Sequence, residues 1–245
     1  MPSFYAQQGE DIYVYTKFIN RVTDDGVFVE LGGYDGLTYS NSKFFEDTLK
    51  FKGVLIEPTN HYHSMVQNRP NCKNHNIAVA HKHQMVMMTG NSAVAGLTDS
   101  MHPAFRERWH KDSSSYLVEA KPFKTILQDS GVDHIDLLTI DVEGGEQAVL
   151  ETMDFSIPVY VIIIEADGDN PSKDNACRDI LRKNGFVFDR HLVLNDIWYN
   201  PAYPFIDRVF DSTREKLQFK SIHDLGDFKY VESSCISQIE DALRS

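Results

Sequence analysis

Four acidic positions follow or close what read as buried strands, and there the chain could do chemistry. Glu30 precedes three glycines in Glu30-Leu31-Gly32-Gly33-Tyr34-Asp35-Gly36. Glycines after a strand let the chain turn tightly and let a ligand approach the backbone. A carboxylate at such a turn repels a pyrophosphate and suits a cationic group, such as the ammonium of an amino acid. That favours S-adenosylmethionine over NAD, whose Gly-x-Gly-x-x-Gly pattern is also absent. The plain alternative is a structural turn. Glu57 ends Gly53-Val54-Leu55-Ile56 before Pro58. A carboxylate there can accept hydrogen bonds from both ribose hydroxyls, or it is an exposed strand-end residue.

Asp141-Val142-Glu143-Gly144-Gly145-Glu146 forms the third set. Strand alternation sends Asp141 and Glu143 to one side while the chain stays extended. Two close carboxylates can hold a divalent cation, share a proton or orient a hydroxyl. Glu146 reads as a first-turn helix residue, favoured there by the helix dipole. Glu165 closes the run Val159 to Ile164 and would lie beside Asp141 in a parallel sheet. Asp167-Gly168-Asp169-Asn170 reads as a polar turn rather than a calcium loop, since the later glutamate is missing. Among ten histidines, His61/His63 and His81/His83 read as surface pairs without matching zinc ligands. His102, His110 and His191 are each candidates for a general base. Phe105, Trp109 and Tyr116 could stack on a sugar or anchor a loop.

These residues need a scaffold of alternating elements. Helical spacing predicts a helix over about 9–20, and Asp24-Asp25-Gly26 a turn. Strands are predicted at Val27–Leu31, Gly53–Glu57, Asn76–Ala80, Ile135–Asp141 and Val159–Glu165, with Met85–Met88 a neighbour of the third. Helices are expected through Phe44 to Leu49, His61 to Asn68, Lys121 to Gln128, from Gly145, and Asn175 to Asn184. Phe186–Phe188 and Leu192–Leu194 are expected to pair antiparallel. Residues 89–115 read as a long polar and aromatic loop, of the kind that is functional or disordered. The tail after Pro201 is poorly patterned and reads as a lid, an oligomer contact or a loose extension. Alternating strands and helices imply an α/β fold with a mostly parallel sheet covered on both faces. Ligands in such folds bind beyond the C-terminal strand ends.

The 245 residues suit one domain: a helical segment over about 1–25, a core over 26–200 and an extension over 201–245. The net charge of −12 argues against nucleic-acid binding. No apolar run is long enough for a membrane span, and no signal peptide is evident. Cys72, Cys177 and Cys235 are odd in number and widely spaced, so the cytoplasm is the expected location.

In order along the chain, these stretches resemble the FkbM family of S-adenosylmethionine-dependent methyltransferases. The resemblance rests on Gln8-Gly9-Glu10-Asp11, Phe28 to Gly36, Ser40-Asn41, Gly53 to Pro58, Asn76 to Val79, Ala95-Gly96-Leu97 and Ile135 to Glu146. The last is the most specific, and the set covers about 5–199. It implies a class I, Rossmann-like methyltransferase fold with S-adenosylmethionine as donor and usually a hydroxyl acceptor, associated with sugars, glycolipids and natural products. It implies that Glu30, Gly32, Gln8, Ser40 and Asn41 surround the methionine part, with Gly33 in the same loop. Glu57 would hold the ribose, Asn76 or Ala78 would lie by the adenine, and Asp141 and Glu143 would face the methyl and the acceptor. Tyr34 stands where many such enzymes have a glycine, and Ala95 where related loops have serine.

The expected activity is O-methylation of a sugar or glycan hydroxyl. Asp141 would orient or deprotonate it, assisted by Glu143 and Glu165, and a divalent cation on those three is the rival version. Alternatives are a non-carbohydrate hydroxyl acceptor or a noncatalytic scaffold of the same fold. Amino methylation fits poorly, because Asn200-Pro201-Ala202-Tyr203 falls after the late strands. Which sugar, which oligomeric state and which base are left open.

Overall fold

A computed structural model of the chain describes residues 1–22, 25–214 and 217–245. The Asp24 end of the expected turn lies outside the described residues. Seven strands form the main sheet: β1 (Val27–Leu31), β2 (Lys52–Ile56), β3 (Lys73–His75), β4 (Ile135–Ile140), β5 (Val159–Glu165), β6 (Val187–Leu192) and β7 (Asn195–Tyr199). Their spatial order is β6-β7-β5-β4-β1-β2-β3. β7 alone runs opposite to the other six strands. The chain winds outward from β1 through β2 to β3, then crosses back to place β4 on the other side of β1. The switch point, where ligands bind in open α/β sheets, therefore lies beyond Leu31 and Ile140. This is the class I methyltransferase arrangement.

The strands are nearly continuous apolar runs because both faces are covered. Phe28, Leu55, Leu137, Val161 and Ile163 point into one core with the helices Glu10–Lys17, Lys43–Leu49 and Ile236–Arg244. Val29, Leu31, Ile56, Leu138, Ile162 and Ile164 point into the other, under Phe123–Asp129, Glu146–Glu151 and Pro171–Lys183. Gly53 is required on β2, since a Cβ there would lie 2.1 Å from the Phe28 ring. Among the described residues, no helix is long and apolar enough to cross a membrane.

Three expectations need correction. The third parallel strand is Lys73–His75, not Asn76–Ala80. The chain leaves the main sheet there, and Ala78–Val79 joins a smaller four-stranded sheet with Gln84–Thr89, Gly96–Leu97 and Ser115–Lys121. The late hairpin turns at Val193-Leu194, so Asn195–Tyr199 is the returning strand. Val193 takes a left-handed φ of 58°, unusual for a β-branched residue. That turn is held by the Leu194 amide donating to Gln8 Oε1 and the Leu194 carbonyl accepting from Ala166. Residues 89–115 contain the short strand Gly96–Leu97 and the helix Pro103–Trp109 rather than a plain loop.

The tail is also ordered by contacts. Asp227–Phe228 pairs parallel with Ser3–Phe4, and Phe4 stacks on Phe228. Ile239, fully buried, packs so closely on Gly9 that a Cβ there would meet its side chain at 2.9 Å. Ile239→Ala is expected to lower the stability of the whole chain by about 2–4 kcal/mol, read by urea denaturation. A single transition that moves to lower urea would show the extension to be part of the core; an unmoved midpoint would show it to be a dispensable appendage.

Candidate active site

Gly32 sets the geometry at the switch point. It has φ +80°, and a Cβ there would lie 1.8 Å from the Asp141 carbonyl oxygen. The turn after β1 thus lies directly against the segment after β4, and the Asp141 amide donates to the Leu31 carbonyl. Tyr34, where a glycine was the common alternative, also takes positive φ, 44°.

Two clefts meet there. One, of about 580 Å³, runs past Glu57, Pro58, Ile77, Ala78 and Val79. The other, of about 660 Å³, runs past Gln7, Glu30, Ser40 and Asn41. Gly32, Tyr34, Asp141 and Glu143 line both. A third cavity, of about 960 Å³, opens from the same carboxylates toward Gln8, Glu165 and Trp109.

The acidic residues divide by their partners. Glu30 is buried and accepts from the Ser40 and Ser42 hydroxyls and the Asn41 amide, with Arg69 3.7 Å away. Glu57 accepts from the Tyr34 amide at 2.8 Å and the Thr59 amide at 2.7 Å, while burial raises its pKa. Glu146 is fully buried, accepts from the Val142 and Gly144 amides and pairs with Lys173 at 2.8 Å. Asp141, Glu143 and Glu165 are different. Each offers a carboxylate oxygen within 4.8 Å of the others'. Lys173, 3.9 Å from Glu165, is the nearest cation and is already shared with Glu146 and Asp174. Depth in the protein, then the charges of Glu146 and Glu30, push Asp141 up to about 7, although its side chain reaches water through the clefts. Desolvation, then Asp141, raises Glu143 and Glu165 well above the carboxylate range.

Asp141 and Glu143 do come together, but not along an extended strand. β4 ends at Ile140, and Glu143 takes a left-handed φ of 54°. Gly33 and Asn76 line none of these cavities. Gly33 packs toward Met65, and Asn76 donates to the Glu57 and Thr59 carbonyls, shaping the strand end. Gln8 faces the third cavity, while Gln7 reaches the cleft beside Ser40 and Asn41. Of the three candidate bases, His110 is held by Val94 and Ser113, and His191 by Asp196. His102 lines a small cavity with Glu143, Glu165 and Lys173, and its buried Nδ1 has no partner among the described residues. Sequence reasoning missed Lys173, the buried cation of the cluster. Its signal was a lysine one turn into the helix after Asp167-Gly168-Asp169-Asn170.

The chain matches the Methyltransferase FkbM domain over residues 30–188. It belongs to that family. It is a methyltransferase that uses S-adenosylmethionine. No curated protein matches the chain significantly. Solved structures with a similar course include precorrin-6y C5,15-methyltransferase from Geobacter metallireducens GS-15, at 11% identity and TM-score 0.43, covering 78% of this chain and 88% of that one. TrmK of M. capricolum, in complex with S-adenosylhomocysteine, shows 9% identity and TM-score 0.37, covering 79% and 68%. The mitomycin 7-O-methyltransferase MmcR shows 11% identity and TM-score 0.39, covering 79% and 53%.

The donor can be tested against the residues present. Asn41 is 8% exposed, and its Oδ1 has no hydrogen-bond partner among the described residues. A buried acceptor left open beside Glu30 fits an ammonium. The opposite cleft is apolar at Ile77, Ala78 and Val79 and ends at Glu57, which fits an adenosine.

Because the Gly32 contact is main chain against main chain, Gly32→Ala should cost about 2–4 kcal/mol in chemical denaturation. Gly33→Ala should cost clearly less, because its Cβ would meet only the movable Met65 sulfur at 2.7 Å. Equal losses would remove the special role of the crossing.

Proposed function

We propose that the protein transfers the methyl group of S-adenosylmethionine to a hydroxyl of a sugar or glycan. The observation that carries this reading is that Asp141 and Glu143 line both clefts and the third cavity at once. In this reading the adenine lies along Pro58, Ile77, Ala78 and Val79. The ribose hydroxyls donate to Glu57, whose oxygens are aimed by two backbone amides and keep spare lone pairs. The amino-acid end meets Asn41, Ser40 and the Gly32 turn, with Glu30 holding that loop together. When bound, the donor supplies an electrophilic methyl group.

The protein's own work is positioning and proton transfer. Holding acceptor oxygen and donor in line supplies about 7–11 kcal/mol of barrier reduction. A sugar hydroxyl is a weak nucleophile and needs a base. Asp141, with a pKa pushed up to about 7, is matched to accept that proton near neutrality. Glu143, pushed up to about 10, keeps its own proton near neutrality, and Glu165, raised well above the usual range, stands beside it, so Asp141 is the group left to act as acceptor. Phe105 and Trp109 in the third cavity offer an aromatic face, and Asp167 and Glu232 offer hydroxyl acceptors. That pairing supports a carbohydrate over other hydroxyl compounds. A second reading, favoured by the 4.8 Å spacing of three carboxylates, is a divalent cation held by Asp141, Glu143 and Glu165. Residues 201–245 belong to the same single domain in this reading, and its three free cysteines suit the cytoplasm.

S-adenosylhomocysteine should bind in calorimetric titration and bind at least about tenfold more weakly to Glu57→Ala, as loss of a buried charged hydrogen-bond partner implies. Turnover should rise with pH through about 7, because the base works only after losing its proton. Asp141→Asn should lower kcat by about 10²–10⁴ and remove that rise. Full activity in Asp141→Asn would exclude it as the base, and loss of activity with EDTA, restored by Mg²⁺, would move the assignment to the cation.

A further inference from the structure

The third cavity has an uneven charge. Asp141, Glu143, Glu165, Asp167, Asp169 and Glu232 line it, from three separate stretches of chain. Arg108 is the one cation lining it among the described residues, and it is committed to Asp169 by hydrogen bonds of 2.9 and 3.3 Å. Lys173 lies outside this lining, buried and 2.8 Å from Glu146. Trp109 is 53% exposed at this cavity, beside the buried Phe105.

Resting on the carbohydrate reading above, we infer that this cavity takes a glycosyl group bearing no phosphate or carboxylate, so that methylation follows glycosyl transfer and does not act on the phosphate-activated sugar. Size does not decide the matter, since about 960 Å³ admits either form. Charge does. Six carboxylates stand around the space, and the one cation lining it among the described residues is already paired with Asp169. A phosphate brought among them meets no free cation among the described residues and adds like charge in a partly water-excluded space. Neutral sugar hydroxyls instead find acceptors on several walls and an indole face for the ring. A glycosyl transfer consumes the activated sugar and delivers a glycoside without its phosphate. That class of reaction must supply this acceptor.

The indole at the cavity gives the test. The other tryptophan, Trp198, is fully buried, so a change in tryptophan emission on adding sugar reports Trp109. The protein saturated with S-adenosylhomocysteine is titrated with methyl glycosides of hexoses and deoxyhexoses, the matching hexose 1-phosphates and UDP-hexoses. At least one methyl glycoside should quench saturably, with the signal absent in Trp109→Phe. Its phosphate and nucleotide forms should bind at least about tenfold more weakly at low salt. Glu232→Lys, remote from the proposed base, should narrow that gap. Phosphorylated sugars binding as well as the glycoside, or no glycoside binding at all, would overturn the inference. If S-adenosylhomocysteine still binds by calorimetry, the methyltransferase reading survives that result; if it does not bind, both fall.

Discussion

One close approach organises this molecule: the Gly32 α-carbon lies where any side chain would enter the Asp141 carbonyl. β1 and β4 are neighbours far apart in sequence, and their ends must diverge to open a crevice at the switch point. Here they diverge only after the main chains have touched. The contact fixes the turn carrying Tyr34 relative to the turn carrying Glu143. Because Tyr34 donates its amide to Glu57, the end of β2 is tied into the same frame. Three strand ends are thus fixed to one another, two by main chain alone and the third through the Glu57 carboxylate.

The acidic strand ends then separate into supports and reactive groups according to how fully each is partnered. Glu30 is satisfied by hydroxyls and an amide, near the fully buried Arg69, which also bonds the Gly36 carbonyl and the Ser40 and Ser42 hydroxyls. Glu146 is satisfied by two amides and Lys173. Such carboxylates stabilise loops because burial is offset by directed donors. Asp141, Glu143 and Glu165 lack that offset, so burial and mutual repulsion raise their pKa values. A group poised to exchange a proton near neutrality is the result, and the two supported glutamates flank it.

The scaffold was legible where chemistry and periodicity coincide. Buried parallel strands announce themselves as apolar runs ending in polar residues, and β1, β2, β4 and β5 all do. The carboxylate cluster followed from that, since adjacent parallel strands bring Asp141 and Glu165 side by side. What was not legible depended on partners distant in sequence. Leu192-Val193-Leu194 reads as strand because nothing local marks a turn; Gln8 and Ala166 hold it from outside. Ile236, Ile239 and Ala242 have helical spacing, yet their helix is seated on Gly9 and the helix Glu10–Lys17, more than two hundred residues away. Lys73–His75 is too short and polar to look like a strand, and only pairing with β2 makes it one.

The 89–115 stretch shows why a segment without periodicity can still be tightly specified. Its Gly96 packs so that a Cβ would lie 2.7 Å from the Glu143 carbonyl, and Gly144 in turn packs against the Ser100 carbonyl at 2.7 Å. Two glycines, one on each strand of contact, let this strap lie on the turn after β4. A left-handed Glu143 costs free energy on its own, of order 1–3 kcal/mol, and persists only when its surroundings over-determine it. The strap supplies that constraint from one side and Glu146, bonded to the amides of Val142 and Gly144, supplies it from the other. The same strap brings His102, Phe105 and Trp109 to the cavities beside Glu143. Holding the reactive carboxylate in place and building the acceptor wall are therefore one structural act, which is why the segment needs close contact more than regular secondary structure.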